Sequence, residues 1–189
     1  MLVLFAAVLV LGFYVRNIRG RVGERIRAVD SRPVAPPASG PTEQAALFVA
    51  YDDAGVLHAE STSIPLPSGR QERAQELVQA LLARYLGKTS PHALPAQADL
   101  RDVYIVDPGL VVIDVNSAFA DGHRSGVLIE ELTVASFAQT LASNLPGINR
   151  VKFLVDGKTR ETLAGHADLS GYYDTSAIAS LAQQLQQGP

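Results

Sequence analysis

The stretch Gly165-His166-Ala167-Asp168 puts an imidazole and a carboxylate two positions apart, with the Ser170 hydroxyl close behind. By type these are a base, an orienting acid and a nucleophile, the set that performs acyl transfer. The spacing argues against that chemistry. A triad lines its side chains up in one chain of hydrogen bonds, which usually takes three separate segments. Neighbouring positions of one loop do not deliver that line. A turn accounts for the same residues: Gly165 adopts a backbone geometry closed to other side chains, and His166 or Asp168 bonds nearby main chain.

The remaining histidines, His58, His92 and His123, fall in different predicted elements without ligand spacing. Zinc needs three or four converging ligands, and no H-E-x-x-H pattern is present. Nor is there a G-x-G-x-x-G, a P-loop or a G-x-S-x-G. The chain has no cysteine, which removes a thiol nucleophile, a thiolate metal site, a disulfide framework and a lipid-bearing cysteine. The expectation is a protein without catalytic residues, metal or small-molecule cofactor. The second polar candidate is the loop 116–126, NSAFADGHRSG. Asp121, His123 and Arg124 are candidates to hold an anion or a sugar where a helix begins, since helix N-termini attract negative groups. Ser125 is expected to cap that helix, and Phe119 to plug the core.

The elements that would position these residues follow from pattern. ALFVAY (46–51) and VLHAESTSI (56–64) flank Asp52-Asp53-Ala54-Gly55 and predict a hairpin. Ser68 opens a helix with Gln71 as its capping-box partner. The apolar stripe of that helix is Ala74, Leu77, Val78, Leu81, Leu82 and Tyr85, and Gly87 ends it. DVYIV (102–106) and LVVIDV (110–115) are strands around Asp107-Pro108-Gly109. Asp114 alternates outward and is expected in solvent. A second helix runs over 127–143, with Leu128, Leu132, Ala135 and Leu141 buried and Glu130-Glu131 on a solvated face. RVKFLV (150–155) and TRETL (159–163) form a hairpin through Asp156-Gly157. The order predicts an α+β two-layer sandwich, a mixed sheet with the two main helices on one face. Residues 174–187 predict a helical tail with Ile178, Leu181 and Leu185 on one side.

The N-terminus is of another kind. Residues 1–15, MLVLFAAVLVLGFYV, carry no charge and span about 22 Å as a helix, short of a bilayer core of about 30 Å. The apolar spacing continues through Val15, Ile18, Val22, Ile26 and Val29 with arginines between. The expectation is a transmembrane helix and basic juxtamembrane stretch over 1–31, a Pro-rich linker over 32–44, a domain over 45–173 and a tail over 174–189. Residues 1–44 hold six arginines against three acids, and residues 45–189 ten basic against sixteen acidic side chains. An acidic body repels phosphate backbones, which excludes nucleic acid as a partner. The basic segment suits acidic lipid head groups. No basic residue precedes the apolar run, so the charge rule alone would place the domain in the cytoplasm. A start upstream of Met1 would supply the missing basic region, and the expectation is export with the anchor retained.

Several runs together resemble the GerMN domain family of sporulation and spore germination. They are LFVAY, ELVQALLARYL, PHALPAQADLRDVYIVDPGLVVIDVNSAF and ELTVASFAQTLASNLPGINRVKFLVDGKTRETLAGHADLS, in that order over about 45–170. Val151 to Gly157, then Leu163, Gly165, His166 and Asp168, carry the resemblance furthest. The chain departs where members have Gly-Pro after the first helix, here Gly87-Lys88, and in lacking a lipoprotein cysteine. The resemblance implies a cell-membrane protein, single-pass, with its domain extracytoplasmic. It also implies action without catalysis, through envelope protein partners or self-association. The alternative is a module binding cell-wall glycan or peptide through the loop at His123.

Overall fold

The computed structural model describes residues 40–66, 69–106 and 109–187, apart from the side chains at 182 and 184–187. The membrane anchor predicted over 1–31 lies outside the described residues. Among the described residues, no helix is long and apolar enough to cross a membrane. Two sheets form. Strands β1 (Thr42–Tyr51) and β2 (Val56–Pro65) pair antiparallel, with Val49 opposite His58. Strands β3 (Leu100–Val106), β4 (Leu110–Val115), β5 (Arg150–Val155) and β6 (Tyr173–Asp174) follow in that spatial order. In the second sheet β3–β4 and β5–β6 run antiparallel and β4–β5 parallel. The helices are α1 (Arg70–Leu86), α2 (Ser117–Asp121), α3 (Val127–Asn144) and α4 (Thr175–Gln187). The parallel pair is joined through α2 and α3, as parallel strands require a crossover.

The α+β class is as expected, but the single mixed sheet is not. The free edge of β1 is taken by side chains instead of a strand. Asn144 of α3 bonds both the N–H and the C=O of Ala46, at 3.2 and 2.8 Å. Thr140 Oγ1 accepts from Phe48 N–H at 2.9 Å, and the Tyr85 hydroxyl from Ala50 N–H at 2.8 Å. With those groups satisfied, no third strand is needed to pair them. Gln71 does the same for β3, accepting from Ile105 N–H at 2.9 Å and donating to the Val103 carbonyl. Its amide is therefore spent on the sheet edge and not on a capping box. The helix starts at Arg70 after Gly69, and Ser68 lies outside the described residues.

All six positions of the predicted α1 stripe are buried. Helix α3 is buried nearly all round, including Leu132, Ala135 and Leu141, and its small residues allow close approach. Its Phe137 meets Tyr85, Phe119 and Phe153 edge-on at ring-centroid distances of 6.1, 5.9 and 6.2 Å. Leu128 departs from expectation, 41% exposed beside the β1–β2 turn. The hairpin predicted over 150–163 stops after one bridge, Val155 to Lys158. Residues beyond it fold back on themselves, with Leu163 N–H donating to the Ala167 carbonyl and Leu169 N–H to that of Glu161. Strand β6 pairs with the start of β5 instead.

Candidate functional site

The polar residues that could do chemistry gather around the N-terminal half of α3. Helix α2 leads into it, held by Asn116, whose Oδ1 accepts from Phe119 N–H at 3.0 Å. Phe119 is buried, as expected. The three predicted ligand residues then turn to three different partners. Asp121 pairs with Arg160 at 2.6 Å. Arg124 pairs with Asp52 of the β1–β2 turn at 2.7 Å. The His123 ring is buried, with Nδ1 2.7 Å from the Arg124 carbonyl oxygen and Nε2 2.7 Å from Thr133 Oγ1. Ser125 makes no cap. The N-cap of α3 is Gly126, whose N–H donates to Glu130 Oε1 at 3.1 Å.

Thr133 is shared. His92, from the loop after α1, sets its Nε2 2.7 Å from the same hydroxyl and its Nδ1 2.5 Å from Asp52 Oδ1. The result is a buried line, Asp52–His92–Thr133–His123, which the sequence reading missed. Its members come from the β1–β2 turn, two loops and α3, and their sequence spacing carried no signal. The order carboxylate–imidazole–hydroxyl resembles a hydrolytic triad. Thr133 is fully buried, though, so its hydroxyl offers no face to a substrate. Burial lowers the proton affinity of both rings, against the pull of Asp52 on His92 and of the Arg124 carbonyl on His123.

Glu130 centres a second buried cluster. Expected in solvent, it is 0% exposed. Its Oε2 accepts from the N–H groups of Ala164, His166 and Ala167, each at 2.9 Å. Its Oε1 takes Gly126 N–H and lies 2.8 Å from His166 Nδ1. Burial pushes this carboxyl up. The His166 ring and the backbone donors pull harder, and the net result is about 2. The Gly165-His166-Ala167 turn is thus wrapped around a buried carboxylate. Gly165 has φ +118, where an L side chain is strained. His166 bonds Glu130 through both its ring and its main chain. Asp168 bonds locally as expected, accepting from Ser170 N–H at 2.7 Å. His166 Nδ1 also lies 3.4 Å from Ser125 Oγ, while Ser170 has no part in the cluster.

Asp114, also expected in solvent, is buried and accepts from Gly157 N–H at 2.8 Å, with Arg101 at 3.4 Å. Burial raises its carboxyl. Among the described residues, no three metal-ligating side chains converge.

No curated protein matches the chain. The crystal structure of a lipoprotein candidate from Clostridium perfringens is similar at TM-score 0.50 and 22% identity, over 78% of this chain and 97% of that one. The tandem GerMN domains of the sporulation protein GerM from Bacillus subtilis are similar at TM-score 0.54 and 19% identity. That match covers 72% of this chain and 48% of that one, so the present chain spans about half of the tandem protein. At such identities the likeness concerns the fold. The family model described as Germane, sporulation and spore germination, matches residues 47–161, from β1 to the segment that precedes the Glu130-bound turn. That match takes in both sheets' main strands and α1 to α3, more than half of the chain, and the chain belongs to the Germane (GerMN) family.

Proposed function

We propose that this chain is a non-catalytic assembly module of the cell envelope, sporulation- or germination-related by family. In this reading residues 1–31 anchor it in the membrane with the domain extracytoplasmic. One observation carries the proposal. The side chains best suited to chemistry, Glu130, His92, His123 and Thr133, are buried and tie loops together, while apolar side chains stand in solvent. Tyr104 and Val106 are exposed on β3, and Tyr172, 60% exposed, lies under the Arg150 and Lys152 cations at 5.6 and 5.7 Å. Val127 and Leu128 are exposed where α3 begins. Exposed apolar groups rimmed by charge suit contact with another protein. The lipoprotein description of the Clostridium perfringens neighbour supports an envelope location.

The test places a photo-crosslinking residue at Tyr104 or Leu128 of the full chain in cells. Capture of a defined envelope protein, or of a second copy, supports the proposal. Absence of any adduct, together with loss of function in His166→Ala that still folds, would overturn it. A phosphatase fused at the C-terminus reads topology: activity outside the membrane supports export, and its absence refutes it. The alternative, glycan or peptide binding at Asp121 and Arg124, is favoured by side chains 62% and 59% exposed. It predicts chemical-shift changes over 117–126 on adding muropeptides, and silence there disposes of it.

A further inference from the structure

Two imidazoles face one hydroxyl beneath the β1–β2 turn, and the hydrogens do not balance if both rings are neutral. His92 Nδ1 is 2.5 Å from Asp52 Oδ1, and His123 Nδ1 is 2.7 Å from the Arg124 carbonyl oxygen. A carbonyl only accepts. So does the Asp52 carboxylate, whose other oxygen is held by the Arg124 guanidinium. Both Nδ1 atoms therefore carry hydrogen. A neutral ring with hydrogen at Nδ1 has a lone pair at Nε2. Both Nε2 atoms lie 2.7 Å from Thr133 Oγ1, which has one proton and a further acceptor, the Ile129 carbonyl, at 3.0 Å. The four ring contacts need four hydrogens. Two neutral rings and one hydroxyl supply three.

We propose that the His92–Thr133–His123 chain holds at least one additional proton at neutral pH, making one ring an imidazolium, and that this proton latches the surrounding loops. The latch joins the β1–β2 turn through Asp52, the loop after α1 through His92, the α2–α3 loop through His123, and α3 through Thr133. Losing the proton leaves a bare nitrogen against a bare oxygen, and one of these contacts opens.

The charges around the pair come from every packed element. Asp52 favours a charged His92, and Arg124 disfavours it. Glu130 of α3 and Asp52 favour a charged His123. From α1 comes Tyr85, its ring 4.8 Å from His92 and its phenol pushed up by burial, hence neutral. From α2 comes the uncharged Phe119. Burial works to empty both rings, and the donor count keeps one filled. The pair then titrates in two separated steps. The filled ring keeps its proton against burial only through the donor count at Thr133, and it contributes stability that is lost as pH rises and that proton leaves. The emptied ring, with its affinity lowered, costs stability as pH falls below 6.5. The latch is tightest between the two steps.

The test uses the full chain in detergent with isotope-labelled histidine, in a His58→Gln/His166→Gln background that leaves only His92 and His123. Long-range nitrogen–proton NMR reads each ring nitrogen across pH. The expected result is one ring with both nitrogens protonated at neutral pH, lost in Thr133→Val. Amide protection factors over 88–98 and 121–126, which divide out the intrinsic rise of exchange with pH, should fall about tenfold as that proton leaves, the equivalent of one lost hydrogen bond. Two neutral rings at neutral pH overturn the proton count. A protonated ring whose loss leaves those protection factors unchanged overturns the latch. Both readings come from the wild-type pair, so a Thr133→Val that fails to fold leaves them intact.

Discussion

Glu130→Gln keeps the shape of the side chain while removing its charge and one of its acceptor oxygens. The amide oxygen can still receive the N–H groups of Ala164, His166 and Ala167. The amide nitrogen then opposes Gly126 N–H, a donor facing a donor, and the His166 ring must move its hydrogen off Nδ1 to accept from it. The gap between a free carboxyl at 4.5 and the folded one at about 2 corresponds to about 3 kcal/mol at neutral pH. Bonds to charged groups, each about 1.5–3 kcal/mol, give the same scale. Because the folded value is depressed, this stability is present above 4.5 and is lost as pH falls toward about 2. Urea and thermal unfolding of the full chain, followed by circular dichroism, measure it. The expected deficit for Glu130→Gln at neutral pH is about 3 kcal/mol, or roughly 6–12 °C in Tm. It should narrow as pH falls below 4.5, where wild type loses its advantage. His166→Ala removes the ring contact to the carboxylate and keeps the main-chain one, and should cost about 1.5 kcal/mol, the low end for a bond to a charged group since the ring is 41% exposed. A Glu130→Gln deficit below about 1 kcal/mol, or one indifferent to acid, would refute the buried-carboxylate account.

Other substitutions probe the same logic elsewhere. Asn144→Ala frees both polar groups of Ala46 at the β1 edge. It should cost about 2 kcal/mol in urea unfolding and raise light scattering on heating, since an uncovered edge invites pairing. Gln71→Ala should cost about 1–2 kcal/mol and speed hydrogen exchange at the Ile105 amide, which loses its acceptor. No change at that amide contradicts the edge-capping role. Asp114→Asn has the opposite sign to Glu130→Gln. The Asp114 carboxyl is raised by burial, so ionisation above 3.8 costs stability, and the amide can still accept from Gly157 N–H. The variant should lie within about 1 kcal/mol of wild type at neutral pH, or above it, and a larger loss refutes the assignment.

What could be read locally was read from the sequence. The hairpin 46–64, the α1 stripe, the special backbone at Gly165 and the buried Phe119 follow from period and turn chemistry acting over a few residues. The family resemblance rested on the same local cadence and holds over residues 47–161. Apart from the exposed Leu128 and the missing strand over 159–163, what failed mostly involved polar side chains whose partners lie far along the chain. Glu130 follows Ile129 and precedes Glu131, and nothing local separates two adjacent acids, one buried and one exposed. Apart from Gly126 N–H, its donors sit 34 to 37 residues away. One faint signal was available: the run Leu132 to Ala138 has no charged position, as a helix buried on all sides requires. Asp114 alternates outward as a strand residue should, and only the 156–157 turn folding over it takes it out of water. Gln71 and Asn144 look like ordinary helix-surface amides, yet they replace strands at two sheet edges. Tertiary structure alone decided these roles, because a buried polar group is acceptable only when its partners arrive, and those partners are brought by the fold and not by the neighbouring sequence.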